Sequence, residues 1–166
     1  MINRLLRLFL GLFPILFLPG CWYYSTSDSL PPNLKTIHIR TVENKTAQFD
    51  LSEMLTNRIT QAFIDNGRLK LINDPDQADL ILQVQVIQYD NKPYTFGQQE
   101  EVREYRVTLS LNVTCKNVKE NNNLWSRSGL SDFTNYNHQE ENEDRAIQET
   151  VKKLSEELVN NTLTVW

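Results

Sequence analysis

Twelve residues constrain this chain more than any others. From Tyr105 to Lys116, apolar and polar side chains alternate without a break. Tyr105, Val107, Leu109, Leu111, Val113 and Cys115 fall on one side, and Arg106, Thr108, Ser110, Asn112, Thr114 and Lys116 on the other. A period of two is the spacing of a strand whose one face is buried. A second run repeats it: Leu80, Leu82, Val84 and Val86 share a face, with Gln83 and Gln85 opposite. The stretch from Asn91 to Gln98 is rich in turn residues, so it is expected to join the two runs as an antiparallel hairpin.

Around this hairpin the chain reads strand, helix, strands, helix. Lys35 to Val42 alternates, with Ile37 and Ile39 inward and His38 and Arg40 outward. Asp50 is placed to cap a helix, with Glu53 three residues on. Leu51, Met54, Leu55, Ile59, Ala62 and Phe63 form that helix's apolar stripe, and Asn66-Gly67 ends it. Arg68 to Asn73 reads as a short strand, parallel to the first because a helix connects them. Leu124 to Phe133 reads as a last strand. A helix follows from about Glu141, with Ala146, Ile147, Thr150, Val151, Leu154 and Leu158 inward. Two helices can cover one face of a sheet. The expected fold is therefore α+β: a two-layer sandwich with a mixed sheet of four to five strands and two helices on one face.

The second face of that sheet is left open. Gln83, Gln85, Thr108, Ser110 and Asn112 make it polar but poor in charge. A plain solvated face is the alternative, common in antiparallel sheets, but such faces usually carry more Lys and Glu. Uncharged polar groups suit a wet, hydrogen-bonded interface. The adjoining loop carries Tyr94 and Phe96, and aromatic side chains often anchor interfaces. These seven residues are the candidate interface.

The N-terminus carries an address. Arg4 and Arg7 stand at the start of a run of 14 residues, Leu5 to Leu18, that is apolar apart from Arg7 and is otherwise broken only by Gly11 and Pro14. A spanning helix needs roughly 20 apolar residues, so this pattern reads as a signal peptide over residues 1–20. Leu18-Pro19-Gly20-Cys21 resembles a lipobox, with Pro19 unusual for it, and makes Cys21 the expected lipidation site. Residues 21–34 then read as a lipidated tether, Ser/Pro-rich from Tyr23, and 35–166 as one domain.

Removal of residues 1–20 leaves 146 residues and lowers Lys plus Arg from 17 to 15 against 21 acids, a net charge of −6. An acidic chain without a basic helix is a poor nucleic-acid binder. With Cys21 acylated, Cys115 alone remains, which rules out an internal disulfide. His38 and His138 have no second ligand at helical spacing and no cysteine pair, so no metal site is expected. There is no Gly-rich phosphate loop and no nucleophile elbow. The acidic run Glu140, Glu141, Glu143 and Asp144 lacks the ligand spacing of a calcium loop and suits the start of a helix. No cofactor and no catalytic set is expected. Two function classes remain: a binding and assembly subunit, or a stand-alone periplasmic lipoprotein that binds a small ligand or inhibits an enzyme.

Two blocks narrow that choice. The stretch from Gly20 to Thr46, with Cys21-Trp22-Tyr23-Tyr24 and Leu30-Pro31-Pro32, resembles the LptE family of lipopolysaccharide-assembly lipoproteins. So does Glu104-Tyr105-Arg106 through Val113, followed by Leu124-Trp125. The resemblance implies a triacylated Cys21 and, with Trp22 rather than Asp after it, an outer-membrane lipoprotein on the periplasmic side. It implies a partner, an LptD-like β-barrel whose lumen the protein occupies, and contact with lipopolysaccharide. The basic residues nearest the hairpin end, Lys92, Arg103 and Arg106, are the candidate lipopolysaccharide contacts.

Overall fold

The computed structural model of the protein describes residues 30–98 and 100–164. The expected signal peptide and the expected lipidation site, Cys21, lie outside the described residues. The strands are β1 (Thr36–Ile39), β2 (Glu43–Asn44), β3 (Lys70–Leu71), β4 (Leu80–Phe96), β5 (Val102–Asn117) and β6 (Asn122–Tyr136). The helices are α1 (Leu51–Asn66) and α2 (Glu143–Thr164), with a 3-10 turn at Pro75–Gln77. The sheet runs β3-β1-β4-β5-β6, and β2 also pairs with β4. β1 lies parallel to both β3 and β4, whereas β4, β5 and β6 are antiparallel. The expected α+β sandwich is present, with six strands rather than four or five. The extra one is β2: the strand expected over Lys35 to Val42 ends at Ile39, and Glu43–Asn44, just past the expected end, pairs with β4 again.

The main surprise is the length of the hairpin. β4 continues through Asn91, Lys92 and Pro93 to Phe96, so residues read as a turn are mostly strand. Seventeen residues at about 3.3 Å each make a ladder roughly 55 Å long. A bulge at Ile87, between Val86 and Gln88, resets the alternation. Before it Val86 faces Leu111 across the ladder; after it Tyr89 faces Leu109 and Asn91 faces Val107. The extra residue keeps the β4 side chains on the helix side in step with the inward face of β5. Without it, Gln88 and Asp90 would turn into the core.

Both helices lie on that inward face. Leu51, Leu55, Ile59 and Phe63 of α1 are buried, with Met54 and Ala62 packed against the core. From α2, Ala146, Ile147, Val151, Leu154 and Leu158 join Leu82, Val84, Leu109, Leu111 and Val113. Cys115 is fully buried, and burial pushes its thiol up to about 12, leaving it protonated and inert. Leu30 and Leu34 also pack on this core, so the domain's contacts begin within the expected tether.

The helix ends differ from expectation in one respect. Gly67 closes α1 at φ +70°, its N–H donating to the Phe63 carbonyl. At the other end Asp50 is left-handed at φ 64°, and its carboxylate makes no capping bond. Its carbonyl accepts the N–H of Met54 instead. The turn that brings β2 into α1 fixes the Asp50 backbone and points its side chain away. For α2 the cap is Asn142, whose Oδ1 accepts the N–H of Arg145.

Candidate functional site

The helix-free face of β4, β5 and β6 brings the expected interface residues together. Gln83 lies opposite Thr114, Gln85 opposite Asn112, Gln88 opposite Ser110, and Asp90 opposite Thr108. On the other flank Ser131 lies opposite Ser110, and Phe133 opposite Thr108. The strand pleat puts all of these on one side.

The polar groups are partly spent on one another. Ser110 donates to Ser131 at 3.2 Å, and Thr114 pairs with Ser126 at 3.1 Å. Asn112 accepts from the Ser128 hydroxyl at 2.8 Å and the Gly129 N–H at 3.2 Å. These last bonds hold a bulge in β6, where Gly129 takes φ +71°. Gln85 donates to Glu43 at 3.0 Å, and that bond, with Lys45 alongside, lowers the Glu43 carboxyl below its usual range. Beside them Arg40, Thr41, Glu43, Gln83, Gln85 and Asn112 line a shallow concavity of about 300 Å³. The surface is tied into rows of amides and hydroxyls, with hydrogen-bonding capacity left over.

Further along, the character changes. Tyr94, Phe96 and Phe133 are 46 %, 60 % and 44 % exposed, three aromatics on the outer part of the hairpin and its neighbour, with Phe96 beyond a register shift from the other two. Arg106 rises between two of them. Its guanidinium carbon lies 3.6 Å from the Tyr94 ring centre and 3.9 Å from that of Phe133, one ring from each flanking strand. Its Nε donates to Asn135 Oδ1 at 2.8 Å.

The three basic candidates are not equivalent. Lys92, the cross-strand neighbour of Arg106, pairs with Asp90 at 3.0 Å. That contact, with the Gln88 amide, lowers the Asp90 carboxyl. Arg103 has no partner across the ladder: it is skipped by the register shift between the Thr95–Glu104 and Phe96–Val102 pairs, and it is exposed. Tyr105 stacks on Tyr136 and meets His138 edge-on. The register thus pairs Lys92 with Arg106, puts Glu104 two residues before Arg106 on the same face, and leaves Arg103 unpaired at a bulge. Sequence reasoning missed Phe133 and Asn135. Phe133 carried a signal: it is an aromatic in phase with Ser131 and Asn135, on the polar side of β6. Among the described residues no three His, Cys, Asp or Glu side chains gather to hold a metal.

At the other end of the ladder a second polar cluster is wholly structural. Asp79 is buried and accepts the N–H groups of Lys35 and Thr36 at 2.8 and 3.0 Å and the Thr36 hydroxyl at 3.0 Å. Lys119 Nζ lies 2.6 Å from its other oxygen. Burial pushes this carboxyl up, but the ammonium and the three donors outweigh it and hold the group at about 2. The clamp ties the start of β1 to the turn after β5.

Comparison with solved structures shows the same architecture in other bacterial proteins. A hypothetical protein from Chlamydia trachomatis aligns at TM-score 0.57 and 11 % identity, over 78 % of this chain and 97 % of that one. The uncharacterized lipoprotein B from Nitrosomonas europaea aligns at TM-score 0.53 and 11 % identity, over 86 % and 90 %. The PelC dodecamer subunit from Paraburkholderia phytofirmans aligns at 0.51 and 12 %, over 77 % and 90 %. At such identities these likenesses speak for the fold alone. No curated protein sequence matches the chain. The LptE family, described as lipopolysaccharide-assembly, matches residues 34–162, which include both helices almost entire, the whole hairpin and its open face. This chain belongs to the LptE family of lipopolysaccharide-assembly proteins.

Proposed function

We propose that this protein is a lipid-anchored, non-catalytic subunit of the outer membrane, on its periplasmic side, that fills the lumen of an LptD-like β-barrel. There it assists the barrel's assembly and the insertion of lipopolysaccharide into the outer leaflet. The observation that carries the reading is the open face of β4, β5 and β6. It is broad, uncovered by helices, and built of hydroxyls and amides: Gln83, Gln85, Thr108, Ser110 and Asn112. A barrel lumen is polar in the same manner. Two such surfaces can exchange hydrogen bonds through bridging water without burying unpaired charge. Tyr94 and Phe96 extend the surface with apolar area.

Photo-crosslinking in the living cell tests this. Crosslinkers at Ser110, Asn112, Tyr94 and Phe96 are expected to capture the barrel, while one at Lys152 on the solvent side of α2 is not. Capture from Lys152 alone would place the interface on the helices and end this reading. The anchor is tested by mass spectrometry of the mature protein, which is expected to begin at an acylated Cys21. An unmodified N-terminus upstream of Cys21 would remove the anchor. For lipopolysaccharide itself the hairpin supplies Lys92 and Arg103. Intact delivery in the Lys92→Asp, Arg103→Asp double variant would take both off the lipid path.

A further inference from the structure

The two edges of the sheet are finished differently. β6 forms one of them, and side chains close its backbone where Phe133 turns outward. The Phe133 N–H donates to Asp132 Oδ1 at 2.6 Å, and the Phe133 carbonyl accepts Lys153 Nζ at 2.9 Å. An edge saturated in this way does not take up another strand. The opposite side of the sheet is stepped. β1 and then β2 cover β4 as far as Val86, the last bond running from the Lys45 N–H to the Val86 carbonyl. From Gln88 to Pro93, β4 pairs with β5 on one side, and among the described residues no strand lies on the other.

The register fixes which groups that free edge presents. The Val113 and Leu109 carbonyls point to β6, where Ser126 and Ser131 donate to them. Backbone groups of alternate residues point to the same edge, so Leu109, Val107 and Tyr105 all turn theirs to β6. Their partners on β4 are Tyr89, Asn91 and Pro93, which therefore turn their backbone away from β5. Pro93 fits that place, because it has no N–H to withhold from the ladder. The free edge thus offers N–H and C=O at Tyr89 and Asn91, and C=O at Pro93. Asp90 and Lys92 stand between them on the open face, ion-paired at 3.0 Å. Arg106 lies across the ladder from Lys92, with Glu104 two residues before it on that face.

We infer that this edge, Tyr89 to Pro93, pairs antiparallel with the same edge of a second copy of the chain, about a two-fold axis at Asn91. The edge is its own complement in that register. With Asn91 facing Asn91, Asp90 faces Lys92 of the second copy and Lys92 faces its Asp90, and opposite charges across a strand pair attract. A shift of two residues either way sets Asp90 against Asp90 or Lys92 against Lys92. A shift of one turns the side chains to the wrong faces. The backbone agrees with the charges. The two Asn91 residues exchange both their bonds, and each Tyr89 N–H meets a Pro93 carbonyl. The missing proline N–H leaves the Tyr89 carbonyl to water at the rim. Such an isologous contact closes as a dimer and does not run on into a fibre. The bulge at Ile87 and the register shift at Tyr94 end the regular edge on either side. The contact is therefore small, and the dimer depends on concentration. Because the axis stands upright on the sheet, both open faces lie on one side and stay uncovered.

The test uses the full chain purified in detergent without a barrel, and it does not rest on the barrel reading. Sedimentation from dilute to concentrated solution is expected to show a monomer–dimer equilibrium. Asp90→Lys and Lys92→Asp each set like charges across the axis, and each is expected to weaken the dimer at least about tenfold. Circular dichroism confirms that the variants are folded. Mixed together, the two single variants are expected to pair with each other, because every charge then faces its opposite. The double variant Asp90→Lys, Lys92→Asp is expected to dimerise as the natural chain does. A substitution that merely loosens the fold gives neither rescue. Cysteines report the geometry. Asp90→Cys mixed with Lys92→Cys is expected to give a disulfide between the two variants, whose Cα atoms lie about 4.5 Å apart in this register. Neither variant alone is expected to give one, because like positions lie about 8 Å apart. A monomer at every concentration, charge reversals without rescue, or no mixed disulfide would overturn the inference. A chain that stays monomeric while a photo-crosslinker at Asp90 captures the barrel in the cell would overturn it too, and would give the edge to a segment of that barrel. Capture from Ser110 and Asn112 decides the reading of the open face separately, and its failure leaves the dimer untouched.

Discussion

The two faces of β5 are made by the same residues in strict alternation, yet they obey different physics. On one side Val107, Leu109, Leu111, Val113 and Cys115 are all buried under the helices. On the other, Arg106, Thr108, Asn112 and Thr114 remain half-exposed, and Arg106, Asn112 and Thr114 bond to their neighbours across the sheet. One face holds the fold together through apolar area. The other holds little of the fold and is kept polar at the expense of tighter packing. Stability and recognition are thereby separated by the thickness of one strand, and substitutions at adjacent positions should differ by kilocalories.

The largest effect is expected in the core. Leu111 is fully buried, and truncating a buried leucine costs about 2–5 kcal/mol. Denaturant unfolding of Leu111→Ala should show that loss, while Thr108→Val, at a half-exposed position on the open face of the same strand, stays within about 0.5 kcal/mol. Equal midpoints for the two variants would erase the contrast between the faces.

Asp79 refines the comparison, because it is polar and yet belongs to the fold. The fall of its carboxyl from an ordinary 3.8 to about 2 corresponds to about 2 kcal/mol of stability. The folded carboxyl is the stronger acid. The contribution is therefore complete above about pH 4 and is lost as pH falls through about 2. Asp79→Asn should cost about this much at neutral pH, and its gap to the natural protein should close on acidification. A gap that stays constant from pH 7 to pH 2 would show that the hydrogen bonds matter and the charge does not.

The alternation itself announced β5, and the apolar stripes announced both helices, because those signals are local and periodic. What stayed hidden depended on residues distant in sequence. Asp79 sits in Pro75-Asp76-Gln77-Ala78-Asp79, which reads as a turn; its role exists only once Thr36 and Lys119 arrive. Pro93 and the polarity of Asn91 and Lys92 suggested a loop, but pairing with β5 overrides local preference. Phe133 meets Arg106 only through the register of β6. The open face was legible as a pattern, whereas the clamp on it required three strands at once.

A smaller effect tests the bulge that shapes the open face. Gly129 has nothing within 4 Å of where a Cβ would stand, so Gly129→Ala meets no clash. Its φ of +71° alone makes the substitution unfavourable, by about 1 kcal/mol. A thermal midpoint that drops by only a few degrees would agree with backbone strain in open space. An unchanged midpoint would mean that β6 can straighten there, and that the bonds from Ser128 and Gly129 to Asn112 are dispensable.

The smallest expected change in stability is also the one that divides the two faces most sharply. Thr114 is half-exposed on the open side, bonded to Ser126 at 3.1 Å, and its neighbours Val113 and Cys115 are core. Thr114→Val keeps the branched shape and the strand preference and removes one hydroxyl. An exposed pair of hydroxyls has water as a ready substitute, so unfolding stability should move by less than about 0.5 kcal/mol. If the open face seats against a barrel wall as proposed, the same hydroxyl is withdrawn from bulk water and its loss leaves the facing wall short of a partner, while Ser126 keeps its bond to the Val113 carbonyl. Thr114→Val should then weaken retention of the barrel more than it weakens the fold, by about 1 kcal/mol measured in detergent. If the variant destabilises the isolated protein as Leu111→Ala does, the open face is part of the folding core. If both quantities stay unchanged, the interface lies nearer the aromatic end of the sheet, around Arg106.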